Sequence, residues 1–434
     1  MGSSFYVTAG FFLNIARDLA GTFLNRWRRF QRRTVEGEAV AAVGVDVYPF
    51  FERMTGVGWY EWNLLAALDA RDDGLFFNLY AHTFLAPDEP GAPPMPGARS
   101  MRLRIHHIPP GFLLPVRPTI LFLRAFVEPV FKFLDGNDVL FAPNFFPHPT
   151  QDGHGRALVA TVHDLAFAAL PDTVAPVTLA DLRRHIPAAR YHTDRFIVVS
   201  DATRAELLEY FPVSPRRIHT IHEGVDPTFA EGAGDGLPEE VETPYLLFLS
   251  TLEPRKNVLG VLRAFELLHR WGYPGRLVLA GRWGWHTEAL QEALERSPAR
   301  DRIVHLDYVP REGLPALYRH ADALLFPSWL EGFGLPIVEA MACGTPVITS
   351  GRSAMPEVAG PAAVYVDPAS AHGIASAVSS LLADHNHRDH LAEQGRRRAA
   401  AFSWERAAGA TAQVLRQAAG LPAAGEDEYR AGTE

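Results

Sequence analysis

The sequence predicts an α/β protein made of two doubly wound, parallel-sheet domains. Apolar, β-branched runs alternate with helical patterns along the whole chain, and such runs between helices are strands covered on both faces. The alternation occurs in two series, separated by the Gly-, Pro- and acid-rich stretch "AEGAGDGLPEEVETP" at residues 230–244. That stretch has no apolar periodicity and reads as an interdomain linker. A length of 434 residues suits two domains rather than one.

In the first series the strands are "AAVGVDVY", "FFNLYAH", "DVLFAPN", "ALVATVHD", "FIVVS" and "IHTIHEG". In the second they are "YLLFLST", "RLVLAG", "RIVHLDYV", "ADALLFP", "TPVITS" and "AAVYVD", with helices over 257–271, 286–296 and 371–383 between them. The expected organisation is a basic extension at 1–37, a first domain at 38–229, the linker at 230–244 and a second domain at 245–401. A helix at 402–420, with Ser403 placed to cap it, and a tail at 421–434 complete the chain.

Composition narrows the functions. Hydrophobic residues make up 47% and charged residues 21%, as in a globular protein with large cores. The net charge of −9 gives no general drive toward nucleic acid, so none is expected as a partner. Cys343 is the one cysteine, so no internal disulfide forms, which fits a reducing, cytoplasmic setting. No run of 18 apolar residues is uninterrupted. The most apolar stretch, "LLPVRPTILFLRAFVEPVFKFL", carries Arg117, Arg124, Glu128 and Lys132 and reads as a partly buried helix with a polar side.

The extension is unlike the rest. Phe12, Ala16, Leu19, Phe23, Trp27 and Phe30 recur at three- and four-residue steps, with six arginines between 17 and 33 mostly off that stripe. A helix of this kind over residues 5–33 suits the inner face of an anionic membrane. It equally suits packing on the protein's own body or a start codon placed upstream of the fold. It lacks the long apolar core and cleavage site of a secretion signal.

The chemistry concentrates in "EGFGLPIVEAMACGTPVITS", residues 331–350. Strand "ADALLFPS" runs into a loop over 328–334, then a helix over 335–343 that Gly344 ends in left-handed geometry. Ligands of open α/β sheets bind at such strand ends. Gly332 and Gly334 would let backbone approach a ligand, and the N–H groups from Phe333 onward favour an anion. Glu331 and Glu339 could each accept the hydroxyls of a diol on either side of that anion. The plain alternative makes Glu331 a helix cap and Glu339 a solvated helix residue. In "STLEPRKNV", residues 250–258, Arg255 and Lys256 stand at a strand-to-helix turn where they suit a diphosphate.

Three weaker signals remain. Gly56, Val57 and Gly58 lie between the first strand and a helix, but Glu61 stands where a dinucleotide fingerprint has its third glycine, which disfavours NAD. They form either a loop against a phosphate or acceptor, or a tight turn. His163 ends a buried strand beside Asp164; it either meets a sugar hydroxyl or is structural. "DHNHRDH" at 384–390 has no clean ligand geometry, and no Asp-x-Asp pair ends a strand, so neither a metal nor another cofactor is expected.

Together these segments resemble the retaining glycosyltransferases of family 4, also called group 1, which have the GT-B fold. The resemblance rests on "TGVGWYEWNLLAAL", "TVHDLAF", "VVSDATRAEL", "IHEGVDPTF", "TLEPRKNV", "LAGRWGW", "LDYVPREGLPALYRHADALLFPSWLEGFGLPIVEAMACGTPVITS" and "PEVAG". Glu331 and Glu339 look like that family's E-x7-E signature. It implies two facing Rossmann-like domains with the last helix crossing back to the first. It implies a nucleotide-sugar donor on the second domain and a glycan or lipid-linked acceptor on the first. By position, Arg255 and Lys256 would bind the donor diphosphate, Glu331 the transferred sugar and Glu339 the ribose. Phe333, Gly334 and Leu335 would approach sugar and phosphate, His163 the hexose, and Tyr308 and Val309 the base. Gly281, in "LAGRWGW", belongs to the donor side, and Gly56 to Gly58 close the site from the acceptor side. Trp59 and Glu61 depart from many relatives, which have smaller or basic residues there. Bacterial mannosyl-, rhamnosyl- and glucosyltransferases of polysaccharide assembly are the nearest in kind, with GDP-mannose the favoured donor. A nucleotide-sugar epimerase and a non-catalytic nucleotide-sugar binder are the competing functions.

Overall fold

The computed structural model describes residues 40–47, 54–83, 100–107, 132, 134–144, 156–231 and 236–422. The basic helix at 5–33, nearly all of the 113–134 apolar stretch, residues 232–235 of the linker, and the tail from 423 onward lie outside the described residues.

The first sheet contains β1 (Ala41–Asp46), β2 (Leu75–Thr83), β3 (Met101–His107), β4 (Val139–Ala142), β5 (Ala157–Val162), β6 (Arg195–Val198) and β7 (Ile218–Thr220). Their order is β3-β2-β1-β4-β5-β6-β7. The second sheet contains β8 (Tyr245–Leu249), β9 (Arg276–Ala280), β10 (Ile303–Leu306), β11 (Ala323–Phe326), β12 (Val347–Ser350) and β13 (Ala363–Val366), in the order β10-β9-β8-β11-β12-β13. Every pairing is parallel. The chain therefore has the α/β architecture of two doubly wound sheets. The central strands are apolar throughout because helices cover both their faces; β4 and β11 are buried at all positions.

The strand β3 was not among those expected. Its sequence, "MRLRIHH", alternates apolar with basic residues. It sits at the sheet's edge, where alternation replaces the continuous apolar run that marks the inner strands. Helices otherwise form close to their expected ranges, at Val258–Arg270, Glu288–Glu295 and Ala371–Ala383. Among the described residues no helix is long and apolar enough to cross a membrane.

The helix Trp404–Ala418 leaves the second domain and packs on the first. Ser403 Oγ caps it by accepting from Arg406 N at 3.2 Å. It lies along the Gly56–Asp69 helix and against β4, β5 and β6. Its Arg416 reaches the Asp73 carbonyl, and the Trp404 ring meets Tyr60 edge-on at 5.8 Å. The crossing requires Gly224, at the end of the first domain. A Cβ there would lie 2.3 Å from Trp404 N, a backbone atom. Gly224→Ala is expected to push the crossing segment off its seat, costing about 1–3 kcal/mol by the usual cost of overpacking. Calorimetry should show a lower melting temperature, and an unchanged one would contradict this close fit.

Candidate active site

The turn after β8 carries the cations. Residues Pro254–Lys256 form one turn of 3-10 helix, and Asn257 follows at φ 58°, a left-handed conformation that asparagine tolerates. Asn257 Nδ2 donates to the carbonyls of Pro327 at 3.1 Å and Pro368 at 2.8 Å, which pins the turn to its neighbours. Arg255 and Lys256 consequently face the loop that follows β11, the strand next to β8.

That loop brings Glu331 to them. Lys256 Nζ lies 2.7 Å from both Glu331 oxygens, and Arg255 Nη1 donates to the Leu330 carbonyl at 2.9 Å. Arg255 also meets Glu253 at 2.9 Å, Glu331 at 3.4 Å and, across the cleft, Asp164 at 3.5 Å. Burial works against the Arg255 charge, yet Asp164, Glu331 and Glu253 outweigh it and hold its pKa above the ordinary value. Burial likewise opposes the Asp164 charge, and Arg255 leads the interactions that overcome it and lower its pKa. For Glu253 burial prevails and the pKa is raised. From the sequence, Glu331 is expected beside the anion site, toward a diol, or as a helix cap. The structure instead sets Glu331 directly on the cation pair.

Beyond Glu331 the two glycines act differently. Gly334 has φ 102°, which favours glycine, and it starts the helix Leu335–Cys343 that Gly344 ends at φ 76°. Gly332 lines the cavity too, but its missing Cβ faces protein. A Cβ there would lie 1.5 Å from the His163 carbonyl oxygen of the first domain. The expected approach to a ligand is, at Gly332, an approach between domains. Thr203 Oγ1 spans the same join, 3.3 Å from the carbonyls of both His163 and Gly332.

Glu339 is buried rather than solvated. It accepts from the Tyr318 hydroxyl at 2.8 Å and lies 3.8 Å from Arg311 Nη1. Burial raises its pKa, against the pull of Arg311 and Tyr318. Arg311 is itself fixed by Asp226 at 3.1 Å and stacks 4.2 Å from the Trp59 ring of the first domain.

On the first-domain wall, His163 is buried with Nε2 2.8 Å from the Pro143 carbonyl and the Tyr60 edge 4.6 Å away. Its Nδ1 lies 3.5 Å from Glu223. The helix starts at Gly56, so Gly56 and Val57 face the cavity from its first turn. Gly58, expected with them, is buried in the helix body and is not among the cavity-lining residues. Its place on the inner side of the first turn removes it from the cavity.

These walls enclose a cavity of about 460 Å³ between the domains. Arg255, Lys256, Glu331, His163, Glu339, Phe333, Gly334, Leu335, Tyr308, Val309, Gly281, Gly56 and Val57 all line it. Sequence reasoning left out Glu253, Asp164, Arg311, Trp59 and Glu223, which line it too. Each lies inside a segment that carried the resemblance, but only three-dimensional contact distinguishes it from neighbouring surface charges. Among the described residues no cluster of three or more His, Cys, Asp or Glu is arranged to hold a metal. In "DHNHRDH", Asp384 caps a helix by accepting from His387 N at 3.0 Å.

Two family descriptions match the chain, "Glycosyl transferases group 1" over residues 235–398 and "Glycosyltransferase Family 4" over residues 54–229. The O-antigen chain mannosyltransferase B of Escherichia coli is 33% identical over 282 residues, which span 62% of this chain and 72% of that protein. This chain is a family 4, or group 1, glycosyltransferase. Other relatives include the serotype-specific mannosyltransferase WbdA of Escherichia coli, 30% identical over 61% of this chain but only 35% of WbdA. The MMP α-(1→4)-mannosyltransferase of Mycolicibacterium hassiacum is 34% identical over 51% of this chain and 54% of its own. Solved structures bear out the GT-B fold. Sucrose-phosphate synthase from Thermosynechococcus elongatus superposes with a TM-score of 0.67 at 21% identity, covering 87% of this chain and 98% of that one. Anabaena HepE, in a complex with UDP-glucose, gives 0.64 at 16% identity, covering 88% and 100%.

One acid of this glycosyltransferase lies just behind the site. Burial, with Asp164 nearby, raises Glu206 to a pKa of about 7. A carboxyl raised on folding binds its proton more tightly in the folded state. Its ionisation therefore costs stability progressively from the ordinary carboxylate range up to about pH 7, and the full cost remains above that. Glu206→Gln should gain stability relative to wild type at pH 8 and not at pH 4. Urea titrations at both pH values would measure this, and an equal difference at both would contradict it.

Proposed function

We infer that this glycosyltransferase moves a hexose from a nucleoside-diphosphate sugar to a hydroxyl of a glycan or lipid-linked acceptor, with retention and without a metal, and that GDP-mannose is its donor. One observation carries this reading: the cations Arg255 and Lys256 and the acids Glu331 and Glu339 line a single cleft at the N-terminus of the Leu335–Cys343 helix. A diphosphate fits the cations and the helix N-terminus, while hydroxyls of the flanking sugars fit the acids.

In the mechanism, Arg255 and Lys256 neutralise the leaving diphosphate as the bond to the sugar breaks. Fixed charge aimed at developing charge is the largest catalytic effect at hand. The acceptor attacks from the face that the leaving group departs, and the leaving phosphate takes its proton. The diphosphate competes with Glu331 for Lys256, which frees the carboxylate for the sugar hydroxyls. The interdomain contacts at Asp164, Trp59 and Gly332 keep bulk water from the donor. Mannosyltransferases among the relatives favour a mannose donor. The chain works in the cytoplasm at the inner face of the membrane, with the basic 5–33 segment as its contact.

A panel of nucleotide-sugars tests this directly. GDP-mannose should raise the melting temperature most, by mass action, and should release GDP when a mannose-terminated acceptor is added. Stabilisation by another donor alone would reassign the sugar, and no release from any donor would contradict transfer. Arg255→Ala and Lys256→Ala should each lower turnover about 10²-fold or more. Turnover at the wild-type rate in either would remove that residue from the reaction.

A further inference from the structure

Glu223 lies on the first-domain wall of the cleft, just after β7, in the segment that leads to the linker. It is 5% exposed and lines the cavity. Its surroundings differ from those of the other acids of the cleft. Glu331 is held by Lys256 and Arg255, Glu253 and Asp164 by Arg255, and Glu339 faces Tyr318 and Arg311. The ion-pair contact of Glu223 among the described residues is His163 Nδ1, at 3.5 Å.

The histidine tautomer sharpens this. A carbonyl oxygen only accepts, so His163 donates from Nε2 to the Pro143 carbonyl at 2.8 Å. That leaves Nδ1 facing the Glu223 carboxylate at 3.5 Å. The edge-on Tyr60 ring at 4.6 Å keeps the imidazole from turning away. Nδ1 and the Glu223 carboxylate thus lie side by side facing a cavity, and among the described residues no hydrogen bond reaches either of them. Glu223 also acts electrostatically on Tyr60 and Glu339, and neither brings a positive charge.

Hydroxyl hydrogens supply what this pair lacks. The join between His163 and Gly332 places the pair beside the loop that carries Glu331 and Phe333. On the reading given above, that loop holds the transferred sugar, and this inference rests on that reading. We propose that Glu223 is a further catalytic residue, which with His163 accepts hydroxyl hydrogens of the transferred sugar and holds a negative charge against the ring as it becomes cationic. The reaction needs no additional proton transfer. The sugar–oxygen bond breaks toward the diphosphate, the new bond forms from the acceptor hydroxyl, and the acceptor proton goes to the leaving phosphate. Glu223 neither takes nor gives a proton in this step and acts through its negative charge.

The test compares wild type, Glu223→Gln and Glu223→Ala. It measures GDP affinity by calorimetry, and GDP release from GDP-mannose with a mannose-terminated oligosaccharide as acceptor. GDP lacks the transferred hexose, so its Kd should stay within about twofold in both variants, which also shows that the cleft is intact. Glu223→Gln keeps the shape but loses the charge, and its kcat should fall by about 10²-fold or more. Glu223→Ala should in addition weaken the binding of GDP-mannose relative to GDP. Turnover of Glu223→Gln within about threefold of wild type would overturn the role of the charge. Loss of GDP binding in both variants would make Glu223 structural and would also overturn it. If wild type itself released no GDP from GDP-mannose or any other donor, the transfer reading would fail first. Activity in wild type and Glu223→Gln alike would sink this inference and leave transfer standing.

Discussion

The contact on which the site depends joins Lys256 to Glu331, with Nζ 2.7 Å from each carboxylate oxygen. It links the turn after β8 to the loop after β11. These strands are neighbours although β9 and β10 separate them in sequence. The sheet order reverses between them, and at such a point two strand-end loops part and leave a crevice. The second domain's contribution to the cleft follows from that topology. Each turn supplies one sign of charge, and the sheet fixes the distance between them.

Such a cluster is a poor way to stabilise a protein. Taking two cations and three or four carboxylates out of water costs several kcal/mol per ion, and attraction between them only about repays it. The opposing pKa shifts show the balance: Arg255 is held charged while burial pushes Glu253 toward neutrality. Replacing the cluster by apolar residues would often cost nothing in stability. Its place in the cleft is therefore explained by a ligand with matching charges. A diphosphate flanked by hydroxyl-bearing rings is such a ligand. On the proposed reading it would exchange for the internal carboxylates, so the cations need not be left unpaired at any stage.

Much of this was legible in the sequence. The inner strands declared themselves as unbroken apolar runs, Arg255 and Lys256 stood out by their strand-end position, and the resemblance to family 4 singled out Glu331 and Glu339 where spacing alone left a helix cap and a solvated residue open. What escaped had physical reasons. The edge strand β3 has no unbroken apolar run, and among the described residues one of its sides has no neighbouring strand. Gly332 carries no sign in sequence of whether it makes room for a ligand or for another domain; only the His163 carbonyl beside it decides. Gly58 looked like part of a loop because the helix start at Gly56 depends on tertiary packing rather than on a side-chain cap. Arg311 and Glu223 are single charges in polar loops. Their significance arises from partners far away in sequence, Trp59 in one case and His163 in the other.

A crystal structure with a nucleoside-diphosphate sugar bound would test the central claim most directly. The account predicts diphosphate oxygens hydrogen-bonded to the Arg255 guanidinium and the Lys256 ammonium, with Glu331 turned to the sugar and Glu339 to the ribose. A donor seated elsewhere, with Lys256 still closed on Glu331, would contradict it.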